Sequence, residues 1–239
     1  MSEQIEVSVC EDDQLEPNDK SENLNIVMRC AMKGNVTRFI KCFEDEEDEH
    51  HETVEAFINT RNAESRCPLD VATMLGRVPM VQELITRGAE INSTTKKGYS
   101  SLHRAAAWGR VECLKVLVDN GWDLQQRNCH NERAREVALR YDQSECVDYL
   151  DWAEAKQNLI NTINAMRETL SDPEKVQGRI ARDDKNVANG SCSEKSDWLE
   201  NTPDATTNDF IMQKENLDEL LAPIWQKLSE PPPERTEKK

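Results

Sequence analysis

The chain has 239 residues and a formal net charge of −16. That is long enough for one large domain or two modest ones, and too acidic for non-specific attachment to nucleic acid or to acidic membranes. Hydrophobic residues make up 37% and charged residues 32%, so a packed core has room beside it for disordered stretches, and no window approaches the roughly 18 apolar residues of a membrane helix.

The opening residues, MSEQIEVSVCEDDQLEP, carry neither a basic flank nor an apolar run. No signal peptide is expected, and residues 1–22 read as a disordered acidic segment. Eight cysteines are scattered through the chain without a C-x-x-C pair, several of them at helix-interior positions. Free cysteine is a small buried hydrophobe in a reducing compartment, so these predict core filling and a cytosolic protein rather than a disulfide or zinc framework.

From residue 23 onward the chain repeats itself. CPLDVATMLGRVPMVQELITRGAEIN, beginning at Cys67, aligns without gaps on SSLHRAAAWGRVECLKVLVDNGWDLQ, beginning at Ser100. Leu69 pairs with Leu102, Ala72 with Ala105, Gly76 with Gly109, Leu84 with Leu117 and Gly88 with Gly121, each 33 residues apart. The register continues downstream: Ala138 matches Ala105, Asp142 matches Gly109, Cys146 matches Cys113 and Leu150 matches Leu117. Upstream, IVMRCAMKGNVTRFIKCF repeats the helix pair with Gly34 at its turn, and Ile58-Asn59 match Ile91-Asn92. Placing both ends requires nine extra residues in the connecting segment, where the acidic insertion near 44–55 (EDEEDEHHETVE) sits.

In the third copy Leu102, Ala105 and Ala106 predict a short helix whose small side chains admit a close neighbour. Gly109 permits the turn into a second helix that buries Val111, Leu114, Leu117 and Val118 at helical spacing, and Gly121 suits a left-handed cap. Neither helix buries its apolar face alone, so the copies must stack. The motifs G-Y-S-S-L-H-R-A-A-A-W-G at Gly98 to Gly109 and R-G-A-E-I-N at Arg87 to Asn92 resemble the ankyrin repeat family. The fourth copy has RARE at Arg133 to Glu136 in place of T-P-L-H, and the first lacks that motif. The resemblance implies four repeats over about residues 23–152, a concave face of hairpin tips and inner helices, and no built-in chemistry.

On that register the position before the inter-helix glycine, which falls in the groove, holds Lys33, Leu75, Trp108 and Tyr141. Two aromatics in a groove suit a partner anchor, since Trp and Tyr dominate interface hot spots; packing against the adjacent repeat is the alternative. Hairpin-tip candidates are Lys96, Lys97, Tyr99, His130 and Glu132. His103 stands where the family carries a hydrogen-bonding histidine, which implies a structural role. His50 and His51 fall in the acidic insertion, where a solvated loop is expected over a metal site. No P-loop, G-x-S-x-G, H-E-x-x-H or Gly-rich phosphate cradle is present, so no catalytic residue, metal, cofactor or small-molecule substrate is expected.

Past Trp152 the 33-residue register stops. Leu159, Ile160, Ile163 and Met166 continue a helical face, followed by a polar loop around Ser171, Pro173 and Gly178. A second helix runs to Trp198-Leu199, weakened by Asn189-Gly190. A third begins near Asp209 and carries Phe210, Leu217, Leu220, Leu221, Ile224 and Leu228, with Asn208 or Thr207 as its cap and Pro223 breaking it near its end. The fold class is therefore all-α: a repeat solenoid, a small helical bundle at 157–229 and a disordered tail at 230–239. The segments NAMRETLSDPEKVQGRI (Asn164 to Ile180), WLENT (Trp198 to Thr202) and API (Ala222 to Ile224), with Cys192 and Phe210, resemble the C-terminal helical lid of the seventy-kilodalton heat-shock chaperones. That resemblance implies a lid-like bundle without ATP hydrolysis, and the ending Glu237-Lys238-Lys239 lacks those chaperones' acidic docking tail.

The run NERAREVALRYDQSECVDYLDW (Asn131 to Trp152), joined to such a bundle, is similar to one vertebrate family of ankyrin-repeat proteins. The similarity implies a cytoplasmic protein of the cleavage furrow and midbody, or of the cilium. The expected function is a non-enzymatic adaptor whose groove binds one or more proteins. A chaperone-like regulator or ciliary scaffold working through the bundle is the alternative.

Overall fold

A computed structural model describes residues 24–229, apart from residue 91. The disorder expected at 1–22 and 230–239 and the Ile91 match lie outside the described residues. The chain divides into two compact units, with the break after Val147.

The first unit is built from helix pairs. They are α1 (Ile26–Lys33) with α2 (Val36–Glu44), α4 (Pro68–Met74) with α5 (Val78–Thr86), and α6 (Ser101–Ala107) with α7 (Val111–Asp119). Helix α8 (Ala134–Arg140) is followed by the start of α9 (Ser144–Ser171), and α3 (Val54–Phe57) lies in the acidic insertion. The inner helices α1, α4, α6 and α8 pack on one another in chain order, and the outer helices α2, α5 and α7 do the same. Alanine and threonine let the inner helices approach: Ala31, Thr73 and Ala106, one register position in three copies, are fully buried. The outer helix of the third copy buries Cys113, Leu114 and Leu117, whereas Val111 and Val118 are only half-buried, because the buried arc centres on Leu114 and Leu117 and takes in Cys113.

The inter-helix turns show why the register carries glycine. Gly34, Gly76 and Gly109 have φ of 67, 68 and 65°, and the next copy holds Asp142 at 55° in the same left-handed conformation. Sequence position has a second role there. A β-carbon on Gly76 would stand 3.2 Å from the Arg110 side chain, and one on Gly109 would meet Gln143, so each turn lies against the first residues of the next copy. Arg110 uses this approach to donate from Nε to the Met74 carbonyl at 3.0 Å, closing the end of α4.

The acidic insertion is anchored rather than loose. Asp48 pairs with Arg38 at 2.5 Å, His51 Nδ1 lies 3.2 Å from the Cys42 carbonyl oxygen, and Val54 is buried. Hydrogen bonding from Arg38 holds the Asp48 carboxyl below the usual carboxylate range. The expected solvated loop is thus a folded excursion: it returns one ion pair and one apolar side chain to the repeat that carries it. Burial pushes the Cys30, Cys113 and Cys146 thiols up to about 11 and Cys67 to about 12, so these sulfurs stay protonated core atoms. No metal-ligating cluster occurs among the described residues.

The second unit comprises the rest of α9, a single turn α10 (Pro173–Val176), α11 (Arg182–Asn201) and α12 (Thr207–Ser229). Its core joins Leu159, Ile163, Met166 and Leu170 of α9 to Cys192 of α11 and to Phe210, Leu217, Leu221 and Ile224 of α12. Phe210 meets Trp152 and Trp198 edge-on at 5.7 and 5.6 Å, and the Trp152 indole donates to the Ala205 carbonyl at 2.8 Å.

Three local expectations are corrected. Thr206 caps α12: its hydroxyl accepts from the Asp209 N–H while Asp209 accepts from Thr206, leaving Thr207 and Asn208 inside the helix. Leu220 lies outside the buried stripe, about 80° around the helix from Phe210, and is 41% exposed. Pro223 does not break α12, and α11 runs unbroken through Gly190, because packing of both helices on α9 outweighs local propensity.

Candidate partner-binding face of the repeats

Three β-hairpin-like loops project from the starts of the inner helices. Asn62, Thr95 and Asn128, 33 residues apart, each donate their N–H to the carbonyl four residues on, at 2.9 Å in every copy. Ser65, Gly98 and Asn131 take the left-handed corner of each loop. The side-chain oxygens of Asn62 and Asn128 accept two further backbone N–H groups apiece, which fixes each loop without help from a partner. Successive loops also touch: the Cys129 N–H donates to the Lys97 carbonyl at 2.9 Å, and a β-carbon on Gly98 would stand 3.0 Å from the Asn128 backbone. The tips of the third and fourth copies therefore form one continuous ridge.

Behind the ridge runs a line of polar side chains three residues into each inner helix. Asp70, His103 and Glu136 occupy the same register position. Asp70 accepts the Cys67 N–H at 3.0 Å and the Ser101 hydroxyl at 2.8 Å. His103 is fully buried, with Nδ1 2.8 Å from the Ser100 hydroxyl and Nε2 3.1 Å from the Glu132 carbonyl. A carbonyl can only accept, so Nε2 carries the proton and Nδ1 accepts from Ser100. Burial holds the imidazole pKa down, and this neutral tautomer satisfies both nitrogens, as the structural role implied by its motif requires. In the fourth copy Arg133 hydrogen-bonds Glu136 and depresses its carboxyl pKa to about 2.

The residues singled out from the sequence separate into three groups. Lys96, Lys97 and His130 lie exposed on the ridge. Leu75, Trp108 and Tyr141 end α4, α6 and α8 and are half-buried, with Lys33 exposed at the matching end of α1. The Trp108 indole nitrogen is turned inward, so only part of its ring is open to solvent, and the Arg140 guanidinium lies 4.9 Å over the Tyr141 ring. Tyr99 and Glu132 depart from the expected tip positions. Tyr99 is 2% exposed: it meets His103 edge-on at 5.8 Å, carries the buried Arg104 guanidinium at 5.2 Å and accepts from Arg140 at 3.4 Å. Glu132 is half-buried and pairs with Arg140 at 3.3 Å. Tyr99 and Glu132 therefore bind the third copy to the fourth. The tyrosine sits at the loop's end, where its ring is drawn under the next helix.

Sequence reasoning missed Leu139. It occupies the register position of Ala31, Thr73 and Ala106, all fully buried, and yet is 58% exposed. The signal was available in the register: a leucine stands in the last copy where the others need a small residue, and no further inner helix follows to cover it.

The family model for ankyrin repeats, written for three copies, matches residues 74–161. Among curated proteins the chain is similar to ankyrin repeat domain-containing protein 45 of Danio rerio, 49% identical over 138 residues that make up 58% of this chain and 62% of the relative. The Homo sapiens protein of that name is 35% identical over 207 residues, covering 87% of this chain and 78% of the relative. The Mus musculus protein is 36% identical over 207 residues, covering 87% and 84%. A stack of inner helices behind a ridge of hairpin tips is the ankyrin arrangement, it serves protein–protein interaction, and this chain belongs to the family of ankyrin repeat domain-containing protein 45.

Proposed function

We propose that the chain is an adaptor that captures a protein partner on the inner-helix side of its repeats, with Trp108 and Tyr141 as anchors. The observation that carries this reading is their placement. Both aromatics end inner helices, half-buried and rigidly seated, on a face whose loops are already fully hydrogen-bonded internally. A preorganised surface of this kind loses little conformational freedom on binding. Pull-down from lysate with the wild-type chain and with Trp108→Ala/Tyr141→Ala tests it: the variant loses partners, and identical partner sets would contradict the assignment. We place the adaptor in the cytoplasm, at the cleavage furrow and midbody or at the cilium, and proximity labelling in dividing and in ciliated cells tests that placement.

A second reading is favoured by one feature of the bundle. Helix α12 leaves Met212 65%, Ile211 42% and Trp225 37% exposed, more apolar side chain than a solvated helix needs. A chaperone-like role, in which the bundle engages unfolded chains or heat-shock machinery, would use that surface. Deletion of residues 157–229 then abolishes such binding and spares the partners held by the repeats.

A further inference from the structure

We propose that the ridge and inner helices of the third and fourth repeats dock an acidic segment of a second protein that carries an apolar side chain. The proposal rests on the adaptor reading and adds the chemistry of the partner. Its starting observation is a segregation of charge. The stretches 94–110 and 127–141, which supply the two loops and inner helices, hold eight Lys and Arg against two carboxylates, Glu132 and Glu136, in a chain of net charge −16. The matching stretch of the second repeat, 61–77, holds three basic residues against two acidic ones, so the excess is local to this end of the stack.

The two carboxylates are already engaged by Arg140 and Arg133 on the same elements. The exposed part of the field comes from Lys96, Lys97 and Arg127 on the ridge, with Arg135 half-buried on α8. The loop-to-loop hydrogen bond from Cys129 to Lys97 fixes these tips relative to one another, so the charges form a patch of defined geometry. Arg135 and Leu139 are four residues apart on α8 and share a face, which sets a 58%-exposed apolar side chain beside a cation. Acidic residues in the partner meet the ridge while one apolar side chain covers Leu139. The outer helix α7 carries Glu112 and Asp119 and offers no such field. Charge on the rim of an interface sets association rate and salt dependence more than it adds affinity, and it fades beyond about 8 Å at physiological salt.

The test uses the full chain and fluorescence anisotropy. The probes are a fluorescein-labelled glutamate-rich peptide with a central leucine, its lysine-rich counterpart, and an oligonucleotide of similar length. The glutamate-rich peptide binds, the lysine-rich one does not, and affinity falls steeply between about 50 and about 300 mM salt. Lys96→Glu/Lys97→Glu/Arg135→Glu weakens binding at least about tenfold, Leu139→Ser weakens it severalfold, and Lys115→Glu on α7 leaves it unchanged. Melting followed by circular dichroism establishes that each variant is folded. Equal binding by the charge-reversed chain overturns the proposal, and so does an oligonucleotide that binds as tightly as the peptide. Binding that appears only after removal of residues 1–22 overturns it in favour of the chain's own acidic segment. If Trp108→Ala/Tyr141→Ala loses its partners while charge reversal changes nothing, the acidic chemistry fails and the adaptor reading stands.

Discussion

The Ser101 hydroxyl donates to the Asp70 carboxylate at 2.8 Å, joining the second repeat to the third through an acid that is 1% exposed. The same carboxylate accepts the Cys67 N–H that opens α4 and lies 3.4 Å from the Arg61 guanidinium, which reaches on to Ser93. Removing it leaves a buried hydroxyl and a helix-capping N–H without their acceptor. Asp70→Ala is therefore expected to cost about 3 kcal/mol, well beyond an exposed aspartate, in urea unfolding followed by far-ultraviolet circular dichroism. A loss below about 1 kcal/mol would show that the inter-repeat bond is dispensable.

His103 gives the stack a pH dependence whose sign is fixed by burial. Its folded-state pKa lies below the ordinary value of 6.5, so as pH falls through 6.5 the unfolded chain takes up a proton that the folded chain refuses. Its contribution is present above that pH and is lost as pH falls towards the depressed folded value. The urea midpoint of the wild type should fall between about pH 8 and about pH 5, and His103→Asn should flatten that part of the profile. A variant as steep as the wild type would assign the dependence elsewhere.

Asp142 holds in the fourth copy the left-handed turn that Gly34, Gly76 and Gly109 hold in the others. A side chain in that conformation costs about 1 kcal/mol relative to glycine, so Asp142→Gly should stabilise the chain by about that amount. Gly109→Ala should destabilise it by more, since the added carbon also meets Gln143. Melting temperatures of the two variants should move in opposite directions.

In the bundle, Phe210 is the ring against which Trp152 and Trp198 both pack. Phe210→Ala should cost about 3 to 5 kcal/mol and shift the tryptophan emission to the red, because both indoles lose a neighbour that excludes water. Unchanged emission would place the aromatic cluster outside the cooperative core.

The repeats were legible because their residues are dictated by geometry that recurs. Glycine is needed where φ is positive, alanine where inner helices touch, and a hydrogen-bonding side chain behind each hairpin, and all three recur at a spacing of 33. The stripe ending in Trp108 and Tyr141 followed from the same register. Tyr99 did not, because its burial comes from Arg104 and Arg140, whose positions in the two adjoining repeats hold Val71 and Met74 or Val137 and Ala107. Pro223 and Gly190 misled for the opposite reason: each is a local helix breaker overruled by packing that only the assembled bundle supplies. Leu139 shows the remaining gap, since its exposure depends on which helix comes next in space.

The central claim is that partner capture occurs on the inner-helix side of the repeats. Photo-crosslinking from single sites reads this directly, with a benzophenone side chain placed at Trp108, at Leu139 and at Lys115 in turn. We expect the same protein adducts from positions 108 and 139 and none from position 115 on α7. Adducts from position 115, with none from the other two, would contradict the account.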